Sequence, residues 1–527
     1  MKEELLAGKR WFPWVLFLVG YLLYSANSGG LMLYALDEAK NSGCAREMLL
    51  SEEYVVPMFN GMLRTDKPPL HYYHMMLSYR IFGVNEFAAR FFSGVYGALT
   101  VLLVFLFARR HLGLRAAFWA AVTLLASVHT AFQFHFAVPD PYLIFFLTLG
   151  CFCFFEAYQN PRPRYLIGLY VGVALGTLAK GPVAIGLPGL IFLVFLISQR
   201  QLKWSRLRSL RPFLGALAVA LIVLPWYLLV WQATDGEWVR EFFFTHNLNR
   251  YTDTMEMHRG YGVLPILFPL VWLMPLGVFI PQAVRRAWRE RSPITTFALV
   301  GMAVIIGFFI FSQTFLPNYT VPAYPYLALL VGWFLAKVSS GEAPRIGPAL
   351  WAFLIISVLV PVGGYIALKN DPTLSPIAPH AAWLAALPLG ALLALIWGRK
   401  GQRSKALMAL GASGMVSIVL IYFGFYPQMD ALNPVARTLP DMDPARRLVY
   451  YKIMNPAYIF YLDEPVPGTH ALAELQAFLD EHPDAYVISR TRWRGDLKKV
   501  EGLSEYRVAK DIMELPTTLI LTYENHE

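Results

Sequence analysis

The chain has 527 residues, of which 57% are hydrophobic and only 15% charged, against about 25% charge in an ordinary soluble domain. The net charge of +10 sits in short Lys/Arg clusters between long apolar runs, which is the positive-inside pattern of cytoplasmic loops rather than a nucleic-acid footprint. Cys44 stands alone and Cys151 and Cys153 fall in an apolar run, so no disulfide framework or cysteine metal site is visible.

The first apolar run, Trp11 to about Tyr34, follows Lys9 and Arg10 and lacks a cleavage site. It reads as an uncleaved first helix. A polar stretch from Ala35 to Asp66 follows, then an aromatic, amphipathic segment from Pro68 to Phe82. Further spans of roughly 20 apolar residues are expected at about 88–108, 116–133, 141–158, 165–179, 182–198 and 213–232. After a second long polar stretch come spans at about 264–282, 295–313, 320–337, 348–367, 381–398 and 406–425, making about 13 crossings. With every basic cluster inside, the amino terminus is cytoplasmic and the carboxyl terminus lies outside. The polar loops at 35–87 and 233–262, and the short loop with His135 and Asp140, then all face outward.

Residues 1–427 thus form a membrane domain. From 428 to 527 the composition turns soluble, with alternating strands such as Arg447–Tyr451, Ala485–Ser489 and Thr518–Thr522 and a helix around Leu472–Glu481. That suffices for a small α/β domain, without a catalytic motif of its own. Its expected role is to cover or shape a site.

Asp37 and Glu38 open the first loop. Two adjacent acids just beyond a membrane helix, at a helix end, read as a solvated cap or dipole partner, or as chemistry. Pro68-Pro69 stiffens the chain behind Asp66 and Lys67, holding a cation where a lipid phosphate would lie. His71 and His74, three apart, share a face, which reads as an interfacial helix with Tyr72 and Tyr73 as belt residues.

Taken together, Asp37-Glu38, Met48, Pro57, Asn60-Gly61, Asp66-Lys67-Pro68-Pro69, Phe82-Gly83, Glu86 and Arg90 resemble the first outer loop of the aminoarabinose transferase (ArnT-like) and protein O-mannosyltransferase superfamily. The likeness continues through Asp140, Lys180-Gly181-Pro182, His246-Asn247 with Arg250-Tyr251, and Leu316-Pro317-Asn318-Tyr319 with Pro322. It implies a GT-C fold, a polytopic α-helical membrane protein with about 13 transmembrane helices plus a small C-terminal α/β periplasmic domain. It also implies a monomeric bacterial inner-membrane enzyme moving a sugar from a polyprenyl (undecaprenyl) phosphate carrier to lipid A or another lipid-linked glycan, with protein as the alternative acceptor.

By the same resemblance Asp37 is the essential acid and Asp140 its partner aspartate. Lys67, Arg250 and Lys40 meet the carrier phosphate, Asp66 and His246 hold a divalent metal, and Glu38 and Tyr319 line the cavity. Two protein ligands are few for a dedicated metal site. Lys40 stands where relatives carry Arg, keeping the charge but losing the bidentate fork, and Phe315 stands where many carry Lys. Cations around a phosphate leaving group are what the chemistry asks for. A transporter would instead place ionisable residues in mid-span, and nearly all the acids here lie in loops. A scaffold would need none of these charges gathered on one side.

Overall fold

Apolar runs fold as helices because, in hydrocarbon, a helix satisfies its backbone N–H and C=O groups within the segment. The computed structural model describes residues 7–249, 262–311, 316–342, 346–462, 464–512 and 517–523, and of 246–249 the backbone alone. Among the described residues, ten α-helices of eight residues or more carry the first half of the chain. They are α1 (Phe12–Tyr24), α2 (Leu36–Leu50), α3 (Leu70–Phe82), α4 (Glu86–His111), α5 (Leu114–Leu125), α6 (Val128–His135), α7 (Asp140–Gln159), α8 (Pro163–Lys180), α9 (Val183–Ser198) and α10 (Pro212–Ala233).

Among the described residues eight helices are long and apolar enough to cross a membrane, or nine if the bent pair α5 and α6 is one span. The eight include α4, α7 and α10, then Pro293–Ile310, Pro317–Ser339, Gly347–Asn370, Ser375–Arg399 and Arg403–Asp430. The other expected crossings fall on helices that are shorter, broken or less apolar. The run expected to be helical to Tyr34 stops at Tyr24. Ser25, Asn27, Ser28, Gly29 and Gly30 are weak helix formers, and buried side chains described below capture the backbone that follows. The expected span at 264–282 breaks into Leu264–Trp272, a 3-10 turn Leu276–Phe279 and Ile280–Glu290, as proline at 269, 275 and 281 withholds N–H donors. The α5/α6 pair bends by 66° where Ser127 caps α6, its Oγ accepting the Thr130 N–H.

Helices α7 and α8 form a hairpin that packs backbone against backbone. A Cβ on Gly172 would stand 2.7 Å from the Gly150 nitrogen and the Phe146 carbonyl oxygen, the small-residue contact that lets membrane helices approach closely. The three cysteines are free, Cys44 and Cys151 buried and Cys153 half-buried.

The tail holds a five-stranded sheet. Strands β1 (Met58–Phe59) and β2 (Met62–Leu63) form a small hairpin in the first loop; the sheet consists of β3 (Leu448–Tyr451), β4 (Gly468–Thr469), β5 (Tyr486–Arg490), β6 (Leu503–Lys510) and β7 (Thr517–Tyr523). Their order is β4-β3-β5-β7-β6. The β3 strand runs parallel to β4 and β5, while β7 is antiparallel to β5 and β6. Because side chains alternate across a strand, Val449, Val487, Leu519 and Leu521 meet the helix Leu472–Glu481 through Leu475 and Leu479. The opposite face, with Tyr450, Ile488 and Ile520, packs in one cluster with Tyr34 and Ala39 of the first loop.

Candidate active site

The loops expected to meet do meet, through a continuous series of contacts. Asp37 and Glu38 lie in the first turn of α2, where the positive end of the helix favours carboxylates. Asp37 is exposed, and Lys40, half-buried, follows on the same face one turn later. Glu38, expected to line the cavity, is only 1% exposed and forms a bidentate ion pair with Arg90 at 2.8 Å. Its Oε1 also accepts the Ala137 N–H at 2.9 Å. Glu38 therefore joins the turn carrying Asp37 to the loop just ahead of Asp140.

Asp140, the first residue of α7, is 6% exposed. Its Oδ1 accepts from Lys180 Nζ at 2.6 Å and from Asn318 Nδ2 at 3.4 Å. Lys180 also stands 5.5 Å from the centre of the Tyr319 ring. In the sequence Lys180 stands out only within the Lys180-Gly181-Pro182 motif, with no role of its own; it ends α8 and returns to the level at which α7 began. The residue after it must be glycine: Gly181 has φ +83°, and a Cβ there would lie 2.5 Å from the Phe242 ring. A left-handed φ and a ring packed against the backbone both exclude a side chain.

Phe242 belongs to the π-type helical stretch Glu241–Asn249, which reaches the first loop. Glu241 Oε2 accepts from Thr65 Oγ1 at 2.8 Å, and Trp238 Nε1 donates to the Arg64 carbonyl at 2.8 Å. Trp226 Nε1 of α10 donates to the Val55 carbonyl at 3.1 Å. The two long polar loops are thus bonded to each other. His246 (its side chain), Arg250 and Phe315 lie outside the described residues.

Arg64 was not picked out in the sequence, yet it organises the Asp-Lys-Pro-Pro turn. It is 6% exposed, donates to the Tyr72 hydroxyl and to Asn41 Oδ1 at 3.0 Å each, and pairs with Asp66 at 3.2 Å. Only an arginine directly before a polar pair hinted at this. Tyr72 is therefore fully buried rather than a belt residue; Tyr73 is 36% exposed. His71 is also fully buried. Burial, then the charges of Arg64, Lys67 and His74, hold it well below the usual imidazole range. His74 shares its nitrogens between the Leu70 carbonyl at 2.7 Å and the Tyr96 hydroxyl at 3.0 Å. Lys67 is 9% exposed.

Among the described residues no group of three or more His, Cys, Asp or Glu side chains could hold a metal ion. Asp66, the one described member of the expected metal pair, already faces Arg64.

A family model described as dolichyl-phosphate-mannose-protein mannosyltransferase matches residues 66–231. Over 450 residues the chain is 31% identical to undecaprenyl phosphate-alpha-4-amino-4-deoxy-L-arabinose arabinosyl transferase 2 of Pseudomonas fluorescens, a match covering 82% of this chain and 78% of that one. The arabinosyl transferase of corresponding name from Edwardsiella ictaluri is 33% identical over 370 residues, 68% of this chain and 64% of that protein. The crystal structure of ArnT from Cupriavidus metallidurans bound to undecaprenyl phosphate has a TM-score of 0.82 at 22% identity, covering 98% of this chain and 99% of that chain. That likeness shows the fold.

A multi-pass helical membrane protein that gathers carboxylates and cations from separate loops has the makings of a membrane-embedded transferase. The chain belongs to the ArnT-like family of GT-C glycosyltransferases.

Proposed function

We propose that this chain moves a sugar from an undecaprenyl-phosphate carrier to an acceptor on the outer side of the bacterial inner membrane, with lipid A or another lipid-linked glycan as that acceptor. The observation that carries this reading is the bonding together of the loops, from Glu38–Ala137 through Lys180–Asp140 and Thr65–Glu241. Such a ring of carboxylates and cations suits a phosphate-borne sugar.

In the reaction the bond between the anomeric carbon and the carrier phosphate oxygen breaks, and its electron pair leaves on the phosphate. Lys67 and Arg250 stabilise the dianion as it forms. The anomeric carbon bonds to the acceptor oxygen. If that oxygen is a hydroxyl, Asp37 takes its proton as general base; if it belongs to a phosphate, Asp37 orients it. Asp140, aimed by its bond to Lys180, favours the positive charge growing on the sugar ring. Lys40 joins Lys67 and Arg250 at the carrier phosphate, and Tyr319 lines the cavity. The basic clusters between spans support about 13 crossings, a cytoplasmic amino terminus and a periplasmic tail, and the tail supplies no reacting group.

The test is sugar transfer by the purified monomer, using a panel of undecaprenyl-phosphate sugars with lipid A, other lipid-linked glycans and proteins as acceptors. Asp37→Asn is expected to abolish transfer and to keep donor binding. Full transfer by that variant, or no transfer by the parent across the panel, overturns the reading. The description of the matching family model favours a protein acceptor as second reading; mass spectrometry of lipid A and of periplasmic proteins, with and without the chain, separates the two.

A further inference from the structure

The segment between α1 and α2 leads directly into Asp37 and has no regular structure to hold its position. Its backbone is held by side chains from elsewhere. The Ser28, Leu31 and Met32 carbonyls accept from Arg90 at 2.6 to 2.8 Å. The Met32 N–H goes to Asp430 Oδ2 at 2.8 Å, and the Leu33 N–H to the Tyr461 hydroxyl at 2.7 Å. Tyr461 is 428 residues away in sequence and ends the short helix Ala457–Tyr461.

That short helix and the turn after it are bonded to the first loop at several points. Arg46 of α2 donates to the Phe460 carbonyl at 2.7 Å and to the Ile459 carbonyl at 2.9 Å. Asn60 and Val466 exchange two hydrogen bonds, each 2.8 Å. The inner face of the sheet, with Tyr450, Ile488 and Ile520, packs in one cluster with Tyr34 and Ala39. Glu86, at the start of α4, interacts with the Tyr461 hydroxyl. A phenol suits this position because it accepts from one neighbour while donating to another.

We propose that Tyr461 is a positioning residue for Asp37, and that the C-terminal sheet serves the reaction by holding the first loop in place. Leu33 lies four residues ahead of Asp37, so the phenol fixes the entry into α2 and with it the direction in which the carboxylate points. Positioning of this kind acts on turnover, because small displacements of a reacting group are costly. The inference rests on the reading of Asp37 as the reacting carboxylate.

The experiment compares the parent with Tyr461→Phe, Arg46→Lys and Asp37→Asn as full-length proteins in detergent. Tyr461→Phe keeps the ring and leaves the Leu33 N–H without its acceptor. Its kcat is expected to fall about tenfold, the worth of one buried hydrogen bond, with donor KM and unfolding temperature near those of the parent. Arg46→Lys, which retains the charge and loses the two-carbonyl fork, should lower kcat by less. Parent-like turnover in Tyr461→Phe overturns the proposal. So does a loss of kcat accompanied by an equal loss of donor binding and heat stability, since that is a purely structural role. If Asp37→Asn remains active, the reading of the reaction fails, and this inference with it.

Discussion

The buried guanidinium of Arg90 gives the sharpest quantitative test. An arginine carries five N–H donors in a fixed fork, and here all five are placed. Nε and Nη2 bind the two Glu38 oxygens at 2.8 Å, Nη1 binds the Ser28 and Leu31 carbonyls at 2.7 and 2.6 Å, and Nη2 also binds Met32 at 2.8 Å. Both side chains of the ion pair are 1% exposed, so water cannot replace a lost donor. Arg90→Lys preserves the charge but offers three donors, leaving at least two acceptors unsatisfied. At about 1.5–3 kcal/mol for each hydrogen bond from a charged group, the loss comes to roughly 3–6 kcal/mol. The assay is thermal unfolding of the purified protein in detergent, read beside sugar transfer. The expected result is an unfolding temperature lower by several degrees and turnover that falls with it. A lysine variant as heat-stable as the parent refutes the reasoning, because it would mean that the loop carbonyls find other donors at no cost.

Lys180→Met removes the cation paired to a carboxylate that is 8% exposed. Breaking a buried pair in this way costs about 3 kcal/mol at the lower end of the usual range, appropriate for a lysine that is itself 20% exposed. Lys180→Met/Asp140→Leu should recover much of the stability and none of the turnover, which a double-mutant cycle measures. His71 is held neutral, its folded pKa below the unfolded value, so the unfolded chain binds more protons as pH falls. Its contribution to stability is full above the unfolded value near 6.5 and declines below it, by about 1.4 kcal/mol per pH unit until the folded pKa is reached. His71→Phe should flatten the acid side of a plot of unfolding temperature against pH; an unchanged profile would count against a buried, neutral imidazole. Lys510 and Asp371 pair at 2.6 Å on the surface, with Lys510 47% exposed. Asp371→Asn should therefore cost less than about 1 kcal/mol, and a large drop in unfolding temperature would show that the tail depends on this contact.

How much the sequence revealed depended on whether a partner was local. Apolar periodicity marked the long spans, and three of the tail strands stood within a residue or so of where alternation put them, as with Leu448–Tyr451, whereas α2, read as a polar stretch, and the strands β4 and β6 went unmarked. Asp140 was legible as an acid between two apolar runs. Its partner was not noticed, although simple geometry would have found it. Two antiparallel helices of similar length bring the chain back to its starting level, so the end of α8 had to lie beside the start of α7. Glu38 was misread because a helix-capping acid and a cavity acid look alike in sequence; the difference is Arg90, 52 residues on. The belt reading of Tyr72 failed for a similar reason, since only the fold supplies Arg64 as its buried partner. The bond between Tyr461 and Leu33 could not be read from any local pattern, for nothing near either residue requires it.

Burial of the cysteines has a practical consequence. In α2 the Cys44 thiol is enclosed and pushed up to about 12, so almost none of it is thiolate at neutral pH, and the thiolate is the form that reacts with maleimides. Cys151 is equally enclosed, and Cys153 is half-buried within the same helix. The natural chain is therefore a quiet background for reporter cysteines placed one at a time on the polar loops. Impermeant reagents applied to intact cells could then map which side of the bilayer each loop faces, without first stripping the protein of its own sulfur.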